Sequence, residues 1–136
     1  MQNPPPVQTD KSSTGLDENI AALLSYIFGW VGGLVFFLIE KDSRLVRFHA
    51  MQSILLSASA IIGFIVIWVA WIIFAIIGSM AADALGMVVG IFGTLLMLAF
   101  WVGLLVAVVL CLVKAYQRQY FKLPVIGNFA EKFSAK

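Results

Sequence analysis

Residues 50–82 read AMQSILLSASAIIGFIVIWVAWIIFAIIGSMAA, 33 consecutive positions without a charged side chain. The hydrocarbon core of a bilayer is about 30 Å thick, and roughly 20 helical residues cross it. This stretch is long enough to cross once and too long for one upright span, because 33 residues of helix reach about 50 Å. Two short spans would need a turn, and no proline or polar cluster marks one. The excess belongs at the start, where His49, Gln52, Ser53 and Ser57 fall within about 140° of helical arc. That leaves a fully apolar part from about Ala58 to Gly78.

Two further runs flank this one. Asn19 to Ile39 is 21 residues without charge, bounded by Glu18 and Glu40, and Ala84 to Val113 is 30 residues, ended by Lys114. Composition agrees with a lipid-facing protein. A soluble domain carries about 25% charged and 45–50% apolar residues, whereas this 136-residue chain has 12% and 62%. The predicted fold is all-α, a polytopic helical membrane protein with three transmembrane helices and a short amphipathic C-terminal helix. Residues 1–15, with Pro4-Pro5-Pro6, read as a disordered polar tail, 16–123 as the transmembrane domain and 124–136 as a surface-lying segment. No basic stretch followed by a short apolar core opens the chain, so the first apolar run is expected to be retained.

Asp83 lies between the two long runs. A carboxylate at the centre of a membrane helix costs about 2.5–3.5 kcal/mol on insertion scales, which favours a surface turn over a buried functional acid. With three spans, Lys11 stands alone on one side. Lys41, Arg44, Arg47, Lys114, Arg118, Lys122, Lys132 and Lys136 stand on the other. Basic residues are retained on the cytoplasmic side, so loop 40–47 and the carboxyl end are predicted to be cytoplasmic and the amino terminus outside.

Small residues recur at helical spacing. Gly29 and Gly33 form a pair in the first run, and Ala99, Gly103, Ala107 and Cys111 form a ladder in the third. Apolar burial gives helices in lipid little reason to associate, and small residues let backbones approach closely enough for dispersion to act. These positions are read as helix-packing sites, within the chain or between copies. Trp30, Trp68, Trp71 and Trp101 lie near the middle of their runs rather than at the interfaces, and a midplane aromatic cluster is expected from them. Tyr116 and Tyr120 fit the interfacial belt.

The most individual stretch runs from Glu40 to Gln52. Its basic residues either contact anionic headgroups at a tight turn or, as Arg44, Arg47, His49 and Gln52, form a polar site at the mouth of the bundle. His49 is a group that can titrate near neutral pH, while the serines after it can equally bond their own helix backbone. After Pro124, Gly127-Asn128 reads as a turn. Ile126, Phe129, Ala130 and Phe133 then form an apolar face beside Lys132 and Lys136, as in a surface-lying helix.

One cysteine, Cys111, precludes an intrachain disulfide. One histidine without a second histidine or a cysteine beside it makes no metal site, and the chain has no GxxxxGK[ST], HExxH, GxSxG or CxxC. No catalytic residues, cofactor or metal are predicted, and the net charge of +2 gives no support to nucleic-acid binding.

Several segments carry a resemblance: Gly15-Leu16-Asp17-Glu18-Asn19, Phe36-Phe37-Leu38-Ile39-Glu40-Lys41, Val46-Arg47-Phe48-His49-Ala50-Met51-Gln52-Ser53, and Lys122-Leu123-Pro124-Val125-Ile126-Gly127-Asn128 with Ala130-Glu131. Together they resemble the Tic-twenty-like family of small prokaryotic membrane proteins, grouped with the chloroplast inner-envelope import component. The resemblance implies a helical membrane fold in a prokaryotic plasma membrane, and by analogy a protein-conducting role. The residues themselves favour a non-enzymatic assembly or interaction subunit, with membrane lipids, a second copy or another membrane protein as partners. The alternative is a transport component, a protein-conducting or small-solute pore with His49, Gln52, Ser53 and Ser57 along its path.

Overall fold

The computed structural model describes residues 11–135, so Met1 to Asp10 and Lys136 lie outside the described residues, and with them most of the tail read as disordered. The described chain forms five helices: α1 (Glu18–Ile27), α2 (Gly29–Ile39), α3 (Arg44–Ala81), α4 (Asp83–Tyr116) and α5 (Ile126–Ser134). It divides into two compact units, Met1–Ser57 with Val108–Lys136, and Ala58–Ala107, and α3 and α4 contribute to both. The all-helical fold and the short C-terminal helix agree with the sequence reading. The first apolar run does not.

That run is broken at Phe28, and Gly29 adopts a left-handed backbone with φ of +60°, a conformation that costs a residue with a side chain about 1–2 kcal/mol. Beyond the break the chain folds back on itself. A Cβ placed on Gly32 would lie 2.8 Å from the carbonyl oxygen of Leu24, whereas eight residues of straight helix separate such atoms by about 12 Å. Three glycines within Gly29–Gly33 weaken helix continuation by about 1 kcal/mol each. The run is therefore a helical hairpin rather than a span. α1 and α2, of 10 and 11 residues, are each about 15–16 Å long, half of what a crossing needs.

The two ends of the hairpin are tied together. Glu40, closed off from solvent, accepts hydrogen bonds from the Ser13 amide (3.0 Å) and hydroxyl (2.8 Å). It also accepts from the amides of Asp42 (3.0 Å) and Ser43 (2.9 Å). The Ser43 hydroxyl in turn donates to Glu18. Residues 11–17 consequently sit at the same end as the loop after α2, held also by a bridge between Lys11 and Asp17. This corrects the expectation that the amino-terminal segment and loop 40–47 lie on opposite sides: an apolar run that returns does not exchange sides. Among the described residues two helices, α3 and α4, are long and apolar enough to cross a membrane, in place of the three expected.

α2 packs on the first turns of α3. A Cβ on Gly33 would stand 2.7 Å from the Ala50 carbonyl and 3.2 Å from Ser53 Cβ, so glycine lets the two backbones touch there. Gly29, by contrast, has nothing near its Cβ position and contributes through its backbone, its carbonyl accepting from the Ser53 hydroxyl at 3.1 Å. Outward from this contact, Phe28, Trp30, Val31, Leu34, Val35 and Leu38 are exposed, an apolar face fit for lipid.

Within the second unit, the remainder of α3 meets the start of α4. Ala82 joins them and Asp83 opens α4 in its first turn, where its charge complements the helix dipole. The turn reading of Asp83 is the one realised. A Cβ placed on Gly78 would stand 3.3 Å from the Gly86 backbone, the Trp71 indole lies on Gly93, and Phe64 meets Trp101 with ring centroids 6.0 Å apart. Trp68 and Trp101 remain half exposed, so in this unit the expected aromatic cluster comes down to Trp71 on Gly93 and the Phe64–Trp101 pair. The 24 residues of α3 from Ala58 to Ala81 measure about 36 Å, one bilayer crossing with modest tilt.

The Glu40 tie is charge-dependent. Burial alone would raise its carboxyl, but the bonds from Ser13, Ser43 and Asp42 outweigh burial and hold it below the usual range. A carboxyl depressed in the folded state contributes stability above its unfolded value of about 4.3 and loses it as pH falls through the folded value. Acidification below about 4.3 should therefore release residues 11–17, read as faster amide exchange at Ser13 and Ser43. In Glu40→Gln that exchange should already be fast at neutral pH and show no acid step. Equal protection in both proteins would show that the carboxylate is not the tie.

Candidate functional site

The polar residues singled out in the sequence converge in the first unit, but not as an open site. α1 supplies Tyr26, the first turns of α3 supply His49 and Gln52, and α4 supplies Cys111. All four are buried. What His49 and Gln52 bind is the chain that follows α4. That helix ends with the Gln119 amide bonded to the Lys114 carbonyl (2.9 Å) and the Arg118 amide to that of Ala115 (3.1 Å), with Arg118 left-handed at φ of +58°. This is a Schellman ending with arginine where glycine is usual. It turns residues 119–123 back across the start of α3.

The hydrogen bonds then follow from donor and acceptor chemistry. The Gln119 carbonyl can only accept, so His49 Nε2, 2.8 Å away, carries the proton. Nδ1 is left to accept from the Tyr26 hydroxyl at 2.9 Å. The Tyr26 oxygen accepts from Gln52 Nε2 at 3.0 Å. Gln52 Nε2 also donates to the Phe121 carbonyl at 2.9 Å, and Gln52 Oε1 accepts from the Leu123 amide at 3.3 Å. Cys111 Sγ lies 3.5 Å from Gln52 Nε2, a weak acceptor at the edge of the set. Phe48 closes one side, edge-on to His49 at 5.1 Å and tilted against Tyr120 at 5.4 Å.

The four residues read as a polar site at the mouth of the bundle thus separate. His49 and Gln52 are spent on backbone groups of residues 119–123 and on Tyr26. Arg47 turns inward: its Nη1 donates to the carbonyls of Glu40 (2.9 Å) and Phe37 (3.4 Å), and its guanidinium lies 4.6 Å from the centre of the Phe37 ring. It caps the open carbonyls at the end of α2, where a cation also meets the negative end of the helix dipole. Arg44 alone is exposed. Ser53, proposed along a water path, is bonded to Gly29. Tyr26, Glu40, Cys111 and Tyr120 escaped the sequence reading as partners. Tyr26 carried one signal, a phenol in the middle of an apolar run rather than at its edge.

Of the helix-packing positions, Gly33 lies in a contact, while Ala99 and Gly103 on α4 are exposed, with nothing within 4 Å of the Gly103 Cβ position. Ala107 is half-buried and Cys111 buried. The predicted turn at Gly127-Asn128 falls inside α5. The reversal comes instead at Val125, whose φ of +65° lets the Ile126 amide bond the Pro124 carbonyl at 2.7 Å, a strained γ-turn.

Residues 16–130 match the sequence pattern that defines the magnetosome magnetite crystal formation protein family. The chain belongs to that family. It is 40% identical over 126 residues to a UPF0132 membrane protein of Methanocaldococcus jannaschii, covering 91% of this chain and 94% of the relative. A second such protein, from Archaeoglobus fulgidus, is 38% identical over 117 residues, 86% of this chain and 95% of the relative. No solved structure matches. These findings overturn the resemblance to the Tic-twenty-like family, and the protein-conducting role inferred from it loses its basis. They support a helical membrane protein, a family trait carried by the long apolar helices.

The knot makes a testable demand. Gln52→Leu leaves the Phe121 carbonyl and the Leu123 amide without partners, and each orphaned buried group costs about 1–3 kcal/mol. Amide exchange at Leu123 should accelerate and the thermal midpoint in detergent should fall. Cys111→Ser, which alters only the weak acceptor, should change little. Unaltered protection at Leu123 in Gln52→Leu would remove Gln52 from this role.

Proposed function

We propose that this family member is a non-enzymatic membrane subunit that assembles through its helices, in the first place with a second copy of itself. One contrast supports the reading. The polar side chains a pore would need, His49, Gln52 and Ser53, are buried and bonded to protein groups, whereas the small-residue face of α4 at Ala99 and Gly103 stands uncovered. In lipid such a face gains by close approach of another helix. The family's description concerns magnetite crystals. Among the described residues no three His, Cys, Asp or Glu side chains come together, so the uncovered helix face is the stronger guide for this chain.

Two crossings also give an orientation. Residues 11–17, the loop before α3 and the segment after α4 share an end through the Glu40 and His49 contacts. All nine Lys and Arg of the chain lie in or beside these segments, and none lies near Asp83. Retention of basic residues makes that end cytoplasmic, in a prokaryotic plasma membrane. Its amino-terminal segment is then inside, not outside.

In mild detergent the wild type should run as a dimer or larger assembly. Gly103→Ile should lower the association constant about tenfold, equivalent to about 1.4 kcal/mol. A wild type that stays monomeric at every concentration overturns the assembly reading. In a Cys111→Ser background, Asp83→Cys should react with an impermeant maleimide from outside intact cells and Lys41→Cys should not. The reverse pattern overturns the orientation.

A further inference from the structure

Arg44 is the one member of the predicted polar site that the fold leaves facing outward, and it does so into a concave pocket. A cavity of about 290 Å³ is lined by Arg44, Phe48, Tyr120, Glu131, Ser134 and Ala135. It is built from the start of α3, the segment after α4 and the last turns of α5. Three observations bear on what fills it. The first is charge. Arg44 has no hydrogen bond or ion pair among the described residues, while Glu131, the acid in the same pocket, is taken by Lys122 at 2.5 Å. The unmatched charge in the pocket is therefore positive, and a guanidinium binds the paired oxygens of a phosphate through its fork of N–H donors.

The second is the donor beside it. Burial raises the Tyr120 phenol above its ordinary range, the Glu18 charge adds to this and the Arg44 charge opposes it. The hydroxyl keeps its proton and can donate to an anion. The third is depth. α5 turns Gly127, Ala130 and Ser134 inward and leaves Phe129 and Phe133 exposed and stacked at 6.3 Å. Together with exposed Val125 and Tyr116 these are side chains that settle at the boundary of headgroups and acyl chains. A phosphate at that boundary belongs to a lipid.

We propose that the pocket between Arg44, Tyr120 and α5 holds the phosphate diester of a membrane glycerophospholipid, with Arg44 as its counter-charge and Phe48 as its apolar floor. The lipid would be a bound component of the subunit, distinct from the bulk lipid around the apolar faces, and the site is separate from the α4 face offered for assembly.

The test is lipid retention by the purified full-length protein in detergent, read by native mass spectrometry during titration with phosphatidylglycerol. The wild type should carry one retained lipid that excess inorganic phosphate does not displace. Arg44→Gln, a change at an exposed position, should weaken retention at least about tenfold, the loss of one charge-assisted contact. Arg44→Lys should recover part of it and Lys132→Gln should retain the lipid as the wild type does. Equal retention by Arg44→Gln overturns the proposal, whatever the oligomeric state. Displacement by inorganic phosphate overturns the lipid assignment, because the pocket would then be a site for free anions.

Discussion

A backbone amide or carbonyl removed from water must find a partner inside the protein, and the first unit is organised by that demand. Three interruptions of the helices leave groups to be satisfied: the break at Phe28, the end of α2 and the reversal after α4. Each is met by a side chain from α3 or its approach. Ser53 binds the Gly29 carbonyl, Arg47 binds the carbonyls closing α2, and His49 and Gln52 bind residues 119–123. The residues that looked like a polar site at the mouth of the bundle are the fittings that allow irregular backbone beside long helices.

Their identities follow from geometry. Glutamine at 52 presents two donors and an acceptor and so serves two backbone groups and a phenol at once. A neutral histidine facing a carbonyl on one side and a phenol on the other donates to the first and accepts from the second. Arginine at 47 spans two carbonyls with one planar group while its face rests on Phe37. Lysine would hold a charge there without the plane.

Much of this architecture is written in residue patterns. The charge-free runs after His49 and Asp83 locate α3 and α4, and the turn at Asp83 follows from the cost of burying a carboxylate. The amphipathic face from Ile126 to Phe133 locates α5. The hairpin of α1 and α2 was hidden because hydropathy measures length in residues, not in net travel: 21 apolar residues that fold back look the same as 21 that cross. Gly29, Gly32 and Gly33 held the clue, but Gly29 and Gly33 alone also fit a helix-packing motif, and the motif reading prevailed. The polar knot was half legible. His49 and Gln52 were visible as unusual, but their partners are main-chain groups 69 to 71 residues away, and a backbone carbonyl has no letter of its own.

That separation along the chain bears on how the protein is made. His49 and Gln52 leave the ribosome long before Gln119, Phe121 and Leu123 do, and their partners exist only 69 to 71 residues later. Both long helices can insert while the knot is still open, with its polar side chains hydrated or served by the translocation machinery. Closure is then a late event, and a chain stopped short of residue 119 would be inserted without being finished. Quality control that recognises unpaired polar groups at the membrane surface would have a ready means of telling such chains apart.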